Sequence, residues 1–143
     1  MNYYNKFCVC VLLAMMAGHV AALVQVENAW IQLAPPGATV SAAYMTIHNP
    51  QSSARTIVKV SADCCAGVML HKTRREGDKV VMDHLEHLVI PAQARLHLAP
   101  GGLHIMLTKA QEELRIESKV KIIFSFDDGT IQEFTLDVKQ SEP

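Results

Sequence analysis

An all-β fold, an antiparallel sandwich or barrel, is what this 143-residue sequence predicts. Three observations carry the prediction. Short runs rich in Val, Ile, Thr and aromatic residues recur along residues 24–138, clusters of Gly, Pro, Asn and Asp separate them, and no long helical periodicity intervenes.

The runs can be justified in order. Val24–Leu33 stops at Pro35-Pro36-Gly37, where proline removes ladder donors. Ser41–His48 ends at Asn49-Pro50, and Thr56–Val60 follows. Val68–Lys72 and Lys79–Leu85 flank Glu76-Gly77-Asp78 and read as a hairpin. Arg95–Leu98 lies between Pro91 and Pro100-Gly101-Gly102, and His104–Thr108 begins just after that turn. Lys119–Phe126 and Ile131–Val138 flank Asp127-Asp128-Gly129, whose Asp-Gly pair is a hairpin signal. Ala110–Ile116 alone is predicted as a helical turn. No internal repeat, low-complexity segment or domain boundary interrupts the mature region.

Residues 1–22 read as a cleavable signal peptide. Lys6 sits in a short polar segment, Phe7 to Ala17 is an apolar run of signal-peptide length, and Val20-Ala21-Ala22 places small residues for cleavage after Ala22. The apolar run is too short for a comfortable membrane span, which needs roughly 20 residues. Neither Cys8 nor Cys10 follows a leucine-led small-residue box of the lipoprotein kind. The expected product is a periplasmic domain, residues 23–143, with no membrane span after cleavage.

Its charge narrows the partners. Removing Lys6 from the thirteen Lys and Arg leaves twelve, against fourteen Asp and Glu. That balance argues against nucleic acid, which would require a basic face, and against a polybasic membrane patch. Cys64 and Cys65 are adjacent; Cα atoms about 3.8 Å apart lie below the usual disulfide separation of roughly 4.4 Å, so a bridge between them would be strained. Buried thiols, a redox pair and a second metal site all remain open for them.

The chemistry concentrates in H-x10-M-x21-H-x-M, formed by His71, Met82, His104 and Met106. Thioether sulfur is soft and neutral; it is a poor ligand for zinc, calcium or magnesium, but with imidazole it suits monovalent copper. A single methionine on a strand is usually core filler, so the weight rests on the joint pattern. These residues, with Ala43-Tyr44-Met45-Thr46-Ile47 before them and Pro100-Gly101-Gly102 within, resemble the periplasmic copper A chaperones, the PCu(A)C family. The resemblance covers most of the chain. It implies a cupredoxin-like Greek-key β-sandwich, a Cu(I) ligand set of His71, Met82, His104 and Met106, and a role in cytochrome oxidase assembly. The implied recipients are cytochrome c oxidase subunit II or a thioredoxin-like copper assembly factor.

Strand geometry shows how the four could meet. His104 and Met106 are two apart, so they share a face. A hairpin turning symmetrically about Glu76-Gly77 would pair residues summing to 153 and set His71 opposite Met82. Met69 shares the face of His71 and is either an auxiliary sulfur or core packing. His84 lies two residues beyond Met82 and is expected to be exposed without a role. His97 is expected to face solvent, His48 and His87 lie outside the pattern, and Tyr44 and Met45 are expected in the core. Cys65, six residues from His71 and about 20 Å away along an extended strand, is not expected at the same metal.

Three function classes follow. A Cu(I) metallochaperone leads; a periplasmic copper buffer or resistance protein is the alternative. An electron-transfer cupredoxin is third and weak, because a blue-copper centre needs a cysteine beside two histidines and none lies near His104. No enzyme is expected, since G-x-S-x-G, H-E-x-x-H and paired carboxylates are missing from the sequence.

Overall fold

The computed structural model describes residues 23–140. The expected signal peptide, 1–22, therefore lies outside the described residues. Ten strands form: β1 Gln25–Gln32, β2 Val40–Asn49, β3 Arg55–Ala62, β4 Cys65–Glu76, β5 Lys79–Leu85, β6 Leu88–Ile90, β7 Ala94–Leu98, β8 Leu103–Ala110, β9 Lys119–Phe126 and β10 Ile131–Lys139. They join in one sheet ordered β5-β4-β8-β7-β2-β1-β10-β9-β3-β6, with β8 also paired to β2. The crossovers between non-consecutive neighbours give the Greek-key, cupredoxin-like arrangement expected.

Alternation decides which face is covered. On β2, Ser41, Ala43, Met45, Ile47 and Asn49 are buried while the residues between them are half-exposed. On β9, Val120, Ile122, Phe124 and Phe126 are buried in the same period of two. These side chains meet Leu70 of β4, Ile105 and Leu107 of β8, and Leu136 and Val138 of β10 in one apolar cluster. The sheet thus folds over on itself around a single core. Met45 belongs to that cluster, as expected.

Each of the nine expected runs overlaps a strand, Lys79–Leu85 and Lys119–Phe126 keep their bounds, and β4 extends well beyond Val68–Lys72 at both ends. Two features differ. β6, with three residues, is too short to show a period in sequence. The helical turn expected over Ala110–Ile116 does not form. Gln111 N–H donates to the Cys64 carbonyl at 2.8 Å, and Glu117, at φ 69°, donates to the Val138 carbonyl at 2.9 Å. These bonds to residues distant in sequence, and the positive φ at Glu117, hold the segment in an irregular path in place of a helical turn. Among the described residues, no helix is long and apolar enough to cross a membrane.

Buried polar groups are held where loops meet the core. The Asn49 amide donates to the carbonyls of Ser53, Ile90 and Pro91. Arg55 is buried, pairs with Asp128 at 2.8 Å and lies 4.3 Å over the Phe126 ring. Its guanidinium thereby closes the β9–β10 hairpin, whose tip has Gly129 at φ 81°.

Gly67 governs the approach of β4 to β8. A Cβ there would collide with Thr108 Oγ1, which donates to the Gly67 carbonyl at 3.3 Å. Gly67→Ala is expected to lower apo stability by about 1–3 kcal/mol through overpacking. Adding Thr108→Ala should recover part of the loss in chemical denaturation. Equal stability of the single variant and the parent would show that the strands yield freely.

Candidate metal site

The Pro100-Gly101-Gly102 turn is where the site begins. β7 and β8 run in the same direction, and both pair with β2: β7 along Met45 to Asn49, and β8 along Val40 to Ala43. The chain must step sideways between them. Gly101, at φ 77°, permits this step, and Gly102 N–H closes it on the Ala99 carbonyl at 3.0 Å. The Gly102 carbonyl then accepts from Thr73 N–H of β4 at 3.0 Å.

That carbonyl also fixes His104. His104 Nδ1 lies 3.1 Å from Gly102 O. A carbonyl can only accept, so Nδ1 carries the proton and Nε2 keeps its lone pair for a metal. His104 is only 6% exposed although it projects from the outer side of β8, where Ile105 and Leu107 face the core. Its burial breaks the alternation at the start of that strand.

Cross-strand register brings the rest together. His71 lies opposite His104 across β4–β8, and Met69 lies opposite Met106. His71 lies opposite His84 across β4–β5, and Met82 lies opposite Thr73. Directly opposed residues share a face. His71, Met82, His104, Met106, Met69 and His84 are therefore all on one face, at the end of the sheet where β5 is the edge strand. The His71 ring stands 5.8 Å from His104 and 5.6 Å from His84, both edge-on. Met106 is half-buried, and Met82 is 57% exposed.

The expected register needs correction. His71 does not oppose Met82. The hairpin loop is Gly77-Asp78, with Gly77 at φ 60° and Glu76 opposite Lys79, so pairs sum to 155 rather than 153. Positive φ at the first of two central residues is the II′ pattern that glycine supports. A shift of two residues preserves the face and makes Met82 a diagonal neighbour of His71, about 7–8 Å away between backbones. Tyr44 also differs from expectation. It lies outside the core on the site's face, against Trp30 at 5.2 Å, and burial pushes its phenol pKa up.

A cavity of about 380 Å³ opens over this face. Leu33, Pro35, Tyr44, Met82, His104 and Met106 are among its lining residues. The segment joining β1 to β2 is thus the wall that covers His104.

Electrostatics favour a neutral donor set. Burial, followed by the neighbouring His104 and His84, pushes the His71 pKa below its ordinary value. No proton then has to leave this ring when a cation arrives near neutral pH. His71 Nδ1 is buried without a hydrogen-bond partner, an orphaned atom that a metal would satisfy. Among the described residues, no group of three or more His, Cys, Asp or Glu is placed to hold a metal ion. A metal here must use the methionine sulfurs, and a sulfur-rich set excludes hard cations.

Residues 24–138 match the model of the family described as "Putative lipoprotein LpqE-like". A protein of Leifsonia xyli subsp. xyli, named "Putative lipoprotein Lxx21020", is 32% identical over 127 residues, covering 88% of this chain and 75% of that protein. The solution structure of CuI-DR1885 from Deinococcus radiodurans is 30% identical with a TM-score of 0.71, over 90% of this chain and 86% of that one. The chain belongs to the LpqE-like, PCu(A)C-type family. The copper-bound PCuAC domain from PmoF2, 18% identical with a TM-score of 0.67, covers 87% of this chain and 97% of that chain and shares the fold.

Set beside the sequence pattern, this PCu(A)C protein has one residue of the cluster that the pattern passes over. His84 is exposed, as expected, yet directly opposite His71. Its position two residues after Met82 was the available signal. His97 is exposed and bonds Thr46 Oγ1 at 3.0 Å, and His48 bonds Gln25 at 3.1 Å; both lie on other parts of the sheet. Cys65 is buried and Cys64 half-buried at the far end of β4, where Cys65 pairs with Ala110.

Proposed function

We propose that this chain is an exported copper carrier that holds Cu(I) through His71, Met82, His104 and Met106, with Met69 as an auxiliary sulfur. One observation carries the reading: two imidazoles and two thioethers share one outer face, with the His104 lone pair fixed outward by the Gly102 carbonyl. The copper-bound PCuAC relatives support it. Thioethers keep their donor character under oxidising conditions that would couple thiolates. They also bind without losing a proton, which favours release to a partner. The site would carry metal rather than catalyse a reaction.

Export through a signal peptide cleaved after Ala22 is part of this reading, and the family's lipoprotein description supports a place in the cell envelope. Intact mass of the envelope form is expected to match a chain beginning at Leu23. A retained 1–22 segment, or a lipid on Cys8 or Cys10, would overturn the freely diffusing carrier.

The recipient we propose is the dinuclear copper site of cytochrome c oxidase subunit II, reached directly or through a thioredoxin-like assembly factor. Deletion of the gene should lower oxidase activity at limiting copper, with rescue by added copper. Copper sensitivity with normal oxidase would identify a buffer instead.

A further inference from the structure

We infer that His84 and His71 form a second copper position at the exposed edge of the sheet, suited to Cu(II) and sharing only His71 with the four-donor Cu(I) set. The inference rests on the copper reading above and adds a donor, His84, that the H-x10-M-x21-H-x-M pattern does not contain.

Geometry places the two rings for it. β5 is the edge strand, and His84 projects from it directly opposite His71. The ring centroids are 5.6 Å apart. Two imidazoles on one metal, each with a metal–nitrogen distance of about 2.0–2.1 Å, have centroids no more than roughly 6 Å apart. The pair meets that limit as well as His71 and His104 do at 5.8 Å. His97 and His48 are engaged by Thr46 and Gln25, whereas the ring beside His84 is another imidazole.

Donor chemistry separates the two positions. Around His104 the neighbours are thioethers in a covered cavity, a soft set that favours Cu(I). At His84 the side chain is exposed, so water completes the coordination and an N,O set results, the kind that tetragonal Cu(II) prefers. Met82, two residues before His84, is a weak donor to Cu(II). His71 belongs to both positions, so an ion at the edge and one in the cavity exclude each other through this ring.

The test is titration of the purified protein with Cu(II), read by electron paramagnetic resonance and by competition with a nitrogen chelator. Cu(I) affinity is measured in parallel, with the apo melting temperature as the check on folding. His84→Gln should weaken the tightest Cu(II) binding at least about tenfold and reduce two-nitrogen to one-nitrogen coupling, while Cu(I) affinity stays within about threefold. His97→Gln should change neither. Met82→Leu with Met106→Leu should lose Cu(I) and keep Cu(II). Cu(II) affinity and spectrum unchanged in His84→Gln, or no Cu(II) bound by the parent, would overturn the inference while leaving a Cu(I) carrier intact. Loss of Cu(II) in His84→Gln from a parent that takes up no Cu(I) would uphold the edge site and sink the carrier.

Discussion

Replacing Met82 and Met106 together by leucine should abolish useful Cu(I) affinity in a protein that still folds. Leucine keeps approximate volume and apolarity, so each exchange should cost less than about 1.5 kcal/mol. Met82 is mostly exposed and should cost less than Met106. The effect on metal is of another order. Outer-shell partners of metal ligands already change affinity about 10–100-fold when removed, so losing two direct donors should exceed a hundredfold. Competition with a chromophoric Cu(I) chelator, beside thermal unfolding of the apo form, checks both halves. Unchanged affinity in the folded double variant would make the methionines packing residues. The histidines could not rescue the proposal alone, because no triad of nitrogen, thiol or carboxylate donors is placed to bind among the described residues.

The methionine prediction depends on register, and register was only half legible in sequence. Period-two alternation assigns faces wherever one face is buried, so His104 with Met106, and Met69 with His71, could be placed on shared faces from spacing alone. Turn chemistry had to supply the pairing between strands. Glu76-Gly77-Asp78 offers two candidate centres, and only the backbone conformation shows that the two-residue loop is Gly77-Asp78. The resulting error of two residues spared the face and misassigned the partner.

What stayed hidden was whatever depends on three strands meeting. His84 is ordinary in sequence; it matters because β4 is flanked by β5 on one side and β8 on the other, which lines up His84, His71 and His104. Tyr44 sits in an apolar run and looks like core, yet its even-numbered neighbours on β2 face outward. Its partial burial comes from Trp30 across the β1–β2 pairing and from the segment between β1 and β2, contacts that the alternation along β2 alone does not reveal. The absent helix over Ala110–Ile116 has the same cause: local propensity lost to hydrogen bonds from distant strands.

The histidine variants should separate ligand loss from structural loss. His71→Ala and His104→Ala are each expected to reduce Cu(I) affinity by more than about a hundredfold, since each removes a direct nitrogen donor. Their apo stabilities should differ. His104 is buried and its Nδ1–H donates to the Gly102 carbonyl, so truncation removes a made hydrogen bond and leaves a void beneath the cavity wall. A cost of about 1–3 kcal/mol is expected. The Gly102 carbonyl retains Thr73 N–H, which keeps the turn from opening. His71 Nδ1 is buried with no partner, so removing that ring also removes an unsatisfied polar atom. Its truncation should cost clearly less than that of His104, about 1 kcal/mol or below. His97→Ala, on a solvent-facing residue of β7, should leave copper binding near that of the parent. Chemical denaturation of the apo proteins with Cu(I) competition on the same samples makes the comparison. Equal destabilisation by His71→Ala and His104→Ala would mean that the Gly102 carbonyl does not position His104. Retained Cu(I) affinity in either would remove that histidine from the ligand set.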